Sequence, residues 1–227
     1  MTNIVCFKWA RIKTGYQLPN CCDYTAKHVN VLHNMARRHG TFDRFICVTD
    51  DPVGIDDGID IVHLWDDYRP LGGCYNRLRM YAEHSIGPKF LMIDLDCVIT
   101  GSIQHLLDRP ESLVLNRYTA PGNPKQRYNG ALQLVQAGAH ADVWDRFSPA
   151  VLPGLMQHRG TSRGYVGSDQ AWLSHYLGDE FATFGPEHGI RDIKHSEKLP
   201  EGTSIVFFHG ARDPSMSDLR WVHRHWQ

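Results

Sequence analysis

Short apolar runs alternate with helix-like segments along the first half of the chain. The segment Asp23–Arg38 carries apolar side chains at helical spacing, among them Val29, Leu32 and Met35, and Gly40 follows as a stop signal. This pattern predicts an amphipathic helix. The intervening apolar runs predict buried strands. Those strands are expected at Ile4–Phe7, Arg44–Thr49, Ile59–Leu64 and Phe90–Ile93.

The rest of the chain carries weaker signals of the same two kinds. Strands are expected at Leu113–Leu115, Ala131–Val135 and Ser204–Phe208, and helices at Tyr75–His84, Ser102–Leu107, Ala139–Phe147 and Ser168–Leu177. The alternation predicts an α/β fold, in which helices flank a mostly parallel central sheet. No linker interrupts the pattern, so residues 1–227 are interpreted as a single domain. Binding sites in such folds lie beyond the carboxyl ends of the strands.

The composition is that of an ordinary globular protein. Hydrophobic residues make up 42% of the 227 positions and charged residues 22%, which disfavours disorder. The formal net charge of −1 gives no reason to expect nucleic-acid binding. The first apolar run ends at Lys8, too early for a secretory signal, and no stretch is long enough for an integral membrane segment. A cytoplasmic location is therefore expected, and His223 and His225 are expected to lie in an exposed tail.

Two carboxylates follow the most apolar strand, at Asp94 and Asp96. In an extended segment residues two apart point to the same side, so both side chains can face one cation while Leu95 points into the core. Oxygen ligands suit Mg²⁺ or Mn²⁺. A D-x-D triplet on its own is also compatible with an acidic turn. Its position after a buried strand favours a metal, because adjacent carboxylates repel unless a positive charge compensates.

Five segments in this order resemble the retaining glycosyltransferases of family eight, which include glycogenin and bacterial lipooligosaccharide galactosyltransferases. The matching segments are Tyr75–Met80 (YNRLRM), Phe90–Ile103 (FLMIDLDCVITGSI), Tyr128–Leu132 (YNGAL), Asp169–Leu173 (DQAWL) and His209–Pro214 (HGARDP). They are similar to the family's Y-x-R-L helix, D-x-D strand, F-N-A-G-V stretch, D-Q-D motif and H-x-x-G-x-x-K-P-W motif. The order and spacing together carry the resemblance.

The resemblance implies a GT-A fold, which is a single Rossmann-like domain with a mixed sheet. It also implies a UDP-sugar donor, transfer of a hexose with retention, and Mn²⁺ (or Mg²⁺) held by Asp94, Asp96 and His209. An imidazole is compatible with Mn²⁺. A histidine packed at the edge of the core is the structural alternative for His209. The acceptor, whether a glycan, a lipid-linked molecule or a protein, is not implied.

The resemblance further assigns four residues to the donor sugar and its phosphates. Arg77 matches an arginine near the phosphates and sugar, and Asn129 matches a residue that contacts the sugar. Asp169 matches a carboxylate on the sugar hydroxyls, and Gln170 a residue near the reacting face, so these two are the catalytic candidates. An inverting transfer stays open as the alternative to retention, with Asp169 as the candidate general base. Each has a structural alternative: a solvated helix face for Arg77, a turn for Asn129 and an N-terminal helix cap for Asp169.

Residues at the first two strand ends are candidates for binding the nucleotide. Trp9 could stack on uracil and Lys8 could reach a phosphate, while a plain strand end is the alternative. Asp50-Asp51 could contact the ribose or form a turn.

The chain also departs from the family pattern at its final motif. Gly210 follows His209 directly, and Asp213 stands where the family has a lysine. Arg212 is therefore the candidate cation near the leaving diphosphate. Ala171 replaces the final aspartate of the D-Q-D motif, so the sugar specificity is expected to differ.

Two other functions remain open on the sequence. A nucleotidyltransferase that forms nucleotide sugars would need a glycine-rich loop after the first strand, whereas no glycine occurs there before Gly15. A non-catalytic domain that binds sugar nucleotides on the same scaffold is the second alternative, because a fold by itself does not establish activity.

Overall fold

The computed structural model describes residues 1–9, 24–67, 74–118, 126–151, 155, 169–193, 198–208 and 212–227. The strands of this part are β1 (Asn3–Lys8), β2 (Phe45–Thr49), β3 (Asp60–His63), β4 (Lys89–Ile93), β5 (Cys97–Ile99), β6 (Leu113–Arg117), β7 (Tyr128–Gln136), β8 (Ala182–Phe184), β9 (Ile190–Asp192) and β10 (Ile205–Phe207). Its α-helices are α1 (Ala26–His39), α2 (Gln104–Leu107), α3 (Asp142–Asp145), α4 (Asp169–Tyr176) and α5 (Arg220–His225). Short 3-10 helices include Tyr75–Tyr81 and Pro214–Met216.

The described strands form a large mixed sheet with the order β3-β2-β1-β4-β7-β6-β8. Strands β3, β2, β1 and β4 run parallel to one another, β7 is antiparallel to both β4 and β6, and β8 is parallel to β6. A smaller sheet has the order β5-β10-β9. The predicted α/β fold with a mixed, mostly parallel central sheet is confirmed.

Strands β1, β2 and β4 of the large sheet are buried on both faces, which explains their nearly continuous apolar sequences, whereas the edge strand β3 is largely exposed. Alternate residues of β1 belong to different cores: Ile4 and Cys6 pack with helix α1, whereas Val5 and Phe7 pack with the 3-10 helix Tyr75–Tyr81. The predicted first helix is confirmed as α1, which Gly40 terminates.

Several elements were not predicted from the sequence. Strands β5, β8 and β9 have three residues each and carry little periodic signal. The expected exposed tail contains helix α5, in which Val222 is buried. His223 is exposed as expected, whereas His225 is partly buried. The expected Pro121–Lys125 loop lies outside the described residues.

None of the helices in the described ranges combines the length and the apolar character that crossing a membrane requires.

Candidate active site

The site lies at the carboxyl ends of the parallel strands β1 and β4 of the large sheet. The antiparallel strand β7 runs alongside the end of β4. Strands β1 and β4 are parallel neighbours, so Lys8 and Asp94 follow at the same edge of the sheet. Strand β7 continues its pairing beyond β4, since the backbone N–H of Asp94 donates to the carbonyl of Ala131 at 2.9 Å. This pairing brings the Asn129-Gly130 segment of β7 beside the predicted D-x-D motif.

The D-x-D motif has the alternation that its sequence predicts. Leu95 is buried in the core cluster that includes α1. The side chain of Asp94 is 30% exposed, and its Oδ1 accepts a hydrogen bond from Nη1 of Arg77 at 2.5 Å. Asp94 therefore presents a carboxylate to solvent while an arginine fixes it from inside.

Asp96 carries an unsatisfied oxygen. Its Oδ1 is buried and has no hydrogen-bond partner among the residues that the structure describes. Burial raises the pKa of Asp96 well above its usual range, and the nearby Asp94 raises it further, although a hydrogen bond from Tyr24 acts in the opposite direction. A buried carboxylate oxygen without a donor, beside a second carboxylate, is the donor set that a hard divalent cation fits.

The third predicted ligand, His209, lies outside the described residues. Phe208, which precedes it in the sequence, donates its backbone N–H to the Asp96 carbonyl at 2.7 Å. Strand β10 thus reaches the D-x-D segment across the smaller sheet. In the part of the chain with described positions, no three acidic, histidine or cysteine side chains gather as a metal site. The His209 assignment stays a prediction.

Arg77 lies between two carboxylates. Its Nε donates to Oδ2 of Asp169 at 2.5 Å, in addition to the bond from Nη1 to Asp94. Burial by itself would lower the pKa of Arg77, but the charges of Asp169 and Asp94 outweigh it and hold the pKa above its usual range. The guanidinium is therefore a permanent positive charge that orients both acidic residues. The solvated helix face belongs instead to Arg79, which pairs with Asp67 and Glu83.

Asp169 begins helix α4 and is almost fully buried. Its second oxygen, Oδ1, has no hydrogen-bond partner within the described ranges. Because Oδ2 pairs with Arg77, the geometry favours a carboxylate that accepts hydrogen bonds over a free general base. One buried acceptor is thus left beside the D-x-D segment.

Gly130 of β7 lies against this ion pair. A Cβ at position 130 would come 2.3 Å from Nη2 of Arg77, and 2.9 Å and 3.1 Å from the two carboxylate oxygens of Asp169. Any larger residue would displace the pair, so the close approach requires glycine here.

The two predicted amide residues lie at this edge. Oδ1 of Asn129 accepts the backbone N–H of Ala131 at 2.9 Å. Oε1 of Gln170 accepts a hydrogen bond from Nε2 of Gln126 at 2.6 Å. Asn129 and Gln170 are both partly buried, and their contacts with a sugar stay predictions.

The residues predicted to bind the nucleotide differ in their surroundings. Lys8 is buried, and its Nζ pairs with the Asp51 carboxylate at 2.9 Å and with the Asp51 carbonyl at 2.5 Å. Trp9 is partly buried and packs edge-on against Phe7, with ring centroids 6.0 Å apart. Arg212 is exposed. The structure thus joins Lys8 to Asp51, while the roles of all these residues toward a nucleotide stay predictions.

Four polar residues around the site were missed on the sequence. Tyr81 donates a short hydrogen bond to Gln133, and Gln133 donates to the Gly130 carbonyl at 3.0 Å. Tyr24 lowers the pKa of Asp96, and His28 lies beside Tyr24. The sequence could have indicated a buried polar role for Gln133, because it is the one polar side chain within the apolar run Ala131–Val135. Nothing in the sequence indicates a role for Tyr24 or His28, because Asp96 and Asp213, with which they interact, are distant in the sequence.

Comparison with known proteins shows which solved structures share this fold. No protein-family model matches the sequence, and no curated protein matches it. Among solved structures, the chain is similar to the galactosyltransferase LgtC in complex with donor and acceptor sugar analogs, with a TM-score of 0.60 and 13% identity over 98% of this chain and 93% of LgtC. It is also similar to the glycosyltransferase GlyE of Streptococcus pneumoniae TIGR4, with a TM-score of 0.61 and 14% identity over 100% of this chain and 60% of GlyE.

These similarities define the class of structure. The chain has the GT-A fold of these glycosyltransferases. The resemblance to family-eight enzymes that the motifs indicate is thereby confirmed at the level of the fold. What the site does is argued from its residues below, because one fold hosts different activities.

Proposed function

We propose that this protein is a metal-dependent glycosyltransferase that transfers a hexose from a UDP-sugar to an acceptor hydroxyl with retention. The observation that carries the proposal is the buried Oδ1 of Asp96 beside Asp94, which has no hydrogen-bond partner among the residues with described positions. An arrangement of two adjacent carboxylates with an unsatisfied oxygen costs stability unless a cation binds. Proteins keep such arrangements where they bind a ligand.

Asp94, Asp96 and His209 would hold the cation, either Mn²⁺ or Mg²⁺. When bound, it would bind the diphosphate of the donor and neutralise the charge that develops as UDP leaves. Asp94 is the more exposed carboxylate, which suits contact with both cation and donor. Lys8, Trp9 and Arg212 are proposed to contribute to nucleotide and phosphate binding.

Arg77 and Asp169 are proposed to hold the donor sugar. Oδ1 of Asp169, which has no hydrogen-bond partner within the described ranges, can accept a hydrogen bond from a sugar hydroxyl, while Arg77 holds Oδ2. Asn129 and Gln170 add amide groups that both donate and accept hydrogen bonds. LgtC, which shares the fold, is a galactosyltransferase solved with donor and acceptor sugar analogs, and this likeness supports a sugar donor for the present chain.

The proposed reaction is a group transfer without a covalent enzyme intermediate. The acceptor oxygen forms a bond to the anomeric carbon of the donor while the bond from that carbon to the β-phosphate oxygen breaks. The bonding electron pair leaves with UDP, and the acceptor proton passes to the departing phosphate oxygen. Arg77 supplies a fixed positive charge close to the carboxylates throughout. The buried pairing of Asp169 with Arg77 disfavours Asp169 as the base of an inverting reaction.

The test is release of UDP from a panel of UDP-sugars in the presence of Mn²⁺. We expect turnover with at least one sugar, abolished by EDTA and by Asp96→Ala. Asp218→Ala, at an exposed position away from the D-x-D segment in sequence, is the matched control and should retain activity. Equal turnover by Asp96→Ala and the wild-type protein would refute the assigned site.

Two further measurements distinguish the alternative functions. Pyrophosphate release from UTP and a sugar phosphate would identify a nucleotidyltransferase. Thermal stabilisation by UDP with Mn²⁺, without turnover of any UDP-sugar, would identify a non-catalytic binding domain.

A further inference from the structure

Strand β7 contains a bulge beside the candidate site. Leu115 and Asn116 are adjacent in β6, whereas their partners in β7 lie four positions apart, at Gln133 and Asn129. The three intervening residues, 130–132, therefore have no register partner on β6 in the described sheet. On its other side β7 continues to pair with β4 through this segment. Bulges of this kind bend a strand and redirect its side chains next to functional sites.

Two side chains of β7 bridge the bulge. Oδ1 of Asn129 accepts the backbone N–H of Ala131 at 2.9 Å. Nε2 of Gln133 donates to the carbonyl of Gly130 at 3.0 Å. Gly130 is buried, and a buried backbone carbonyl needs a donor wherever the strand ladder does not supply one. Gln133 therefore provides a hydrogen bond at a position where β6 has no register partner.

Gln133 is fixed at its other end by Tyr81. Both residues are 0% exposed, and the Tyr81 hydroxyl donates to Oε1 of Gln133. Burial raises the pKa of Tyr81 well above its usual range, so the hydroxyl keeps its proton and remains a donor. Because the acceptor and the donor end of the amide are both engaged, the Gln133 side chain has a single orientation.

The 3-10 helix Tyr75–Tyr81 acts on Gly130 through two of its side chains. Tyr81 holds the Gly130 carbonyl through Gln133. Arg77 lies so close that a Cβ at position 130 would come 2.3 Å from its Nη2. A shift of the Gly130 peptide would therefore change the space beside the guanidinium and would move Asn129, the preceding residue of β7.

We propose that Gln133, held by Tyr81, is a positioning residue that fixes the bulge of β7 at Gly130, so that the groups proposed to bind the donor sugar keep their relative positions. This inference rests on the proposed function. Gln133 is fully buried and acts through the backbone. A buried polar side chain in an apolar strand is costly unless its hydrogen bonds are satisfied, and satisfied networks specify one arrangement of the core.

The experiment compares the KM for a UDP-sugar with the affinity for UDP, both with manganese, in Gln133→Met. Methionine is similar in length but has no amide, so the Gly130 carbonyl loses its donor. The KM should rise by about three- to tenfold, the effect of one hydrogen bond. The affinity for UDP, measured by calorimetry, should stay within about twofold, because none of the proposed cation and nucleotide ligands belongs to β7.

This comparison separates positioning from a general loss of structure. A smaller folded fraction would lower the apparent kcat and would leave both the KM and the affinity of the folded protein unchanged. Gln136→Met is the matched control, because Gln136 belongs to the same strand and is exposed. It should show the wild-type KM and the wild-type affinity for UDP.

Tyr81→Phe is the second variant. It leaves the Gln133 amide in place and removes only the hydroxyl that orients it, so the KM should rise by about two- to fivefold. Tyr176→Phe controls for the loss of a tyrosine hydroxyl, because the Tyr176 hydroxyl donates to Asp142 at 2.7 Å. This control should leave the KM unchanged.

The outcomes distinguish the two proposals. If the wild-type protein releases no UDP from any UDP-sugar, the proposed function fails and this inference fails with it. If the wild-type protein is active and folded Gln133→Met has an unchanged KM, or loses UDP affinity as much as its KM rises, only the positioning role is overturned. If Gln133→Met does not fold, Tyr81→Phe decides: a raised KM with unchanged UDP affinity supports the role, and an unchanged KM overturns it.

Discussion

Arg77 and Asp169 form a buried ion pair across 92 positions of the sequence, with Nε and Oδ2 2.5 Å apart and side-chain exposures of 3% and 1%. The same guanidinium also contacts Asp94. One arginine therefore joins the helix that precedes β4, the D-x-D segment and helix α4. Its loss would leave a buried carboxylate without a partner.

The first prediction compares two arginines of the same 3-10 helix. Arg77→Met should lower the free energy of unfolding by about 3–5 kcal/mol, because it leaves the buried Asp169 carboxylate without its ion-pair partner. Arg79→Met should cost less than about 1 kcal/mol, since Arg79 is 37% exposed and its ion pairs with Asp67 and Glu83 are screened by solvent. Urea denaturation of the two variants measures the difference, and equal losses would contradict the buried role of Arg77.

The second prediction concerns the close approach at Gly130. Gly130→Ala places a Cβ within 2.3 Å of the Arg77 guanidinium, and we expect a loss of stability of about 1–3 kcal/mol from overpacking. Binding of UDP with Mn²⁺ should weaken as well, because the displaced Arg77 also holds Asp94. Gly58→Ala is the control: its Cβ would meet only the His33 ring at an ordinary 3.4 Å. Unchanged UDP binding by Gly130→Ala would mean that the pair does not position the site.

The third prediction is that the metal-free protein is stabilised by neutralising Asp96. Asp96→Asn removes the repulsion with Asp94 and the cost of a buried charged oxygen, and the free energy of unfolding without metal should rise by about 1 kcal/mol. The same change should abolish the thermal stabilisation that Mn²⁺ and UDP confer on the wild-type protein. Scanning calorimetry with and without ligands checks both effects. A destabilised metal-free variant that still responds to Mn²⁺ would contradict the metal assignment.

The fourth prediction concerns acid stability and Asp213. Burial by itself would raise the pKa of Asp213, but hydrogen bonds from Ser215 and the proximity of His28 outweigh it and hold the pKa below its usual range. The unfolded chain therefore binds a proton on this carboxylate before the folded protein does. Its stabilising contribution is complete above the unfolded pKa of about 3.9 and is lost as pH falls through the lower folded pKa.

Asp213→Asn tests this pH dependence. The stability difference between the wild-type protein and the variant should be constant near about pH 5 and should shrink as the pH falls toward about 3. Urea denaturation across this range, with Asp218→Asn as the exposed control, measures the difference. A wild-type advantage that does not change with pH would mean that the carboxylate charge is not what stabilises this contact.

Several parts of this structure follow from local sequence. Helix α1 follows from its apolar spacing and from Gly40, and strands β1, β2 and β4 follow from unbroken apolar runs. The same-side placement of the Asp94 and Asp96 carboxylates follows from the two-residue period of extended backbone, with Leu95 buried between them. These features depend on residues within a few positions of one another, which is the range over which a sequence pattern specifies structure.

Tertiary structure alone decided the rest. The three-residue strands β5, β8 and β9 are too short for a periodic signal and exist because neighbouring strands pair with them. Only contacts between residues 92 and 185 positions apart show that Arg77 pairs with Asp169 instead of lying on a solvated helix face, and that Asp213 faces His28. Such contacts arise when packing brings distant segments together, and the cost of burying each charge then selects its partner.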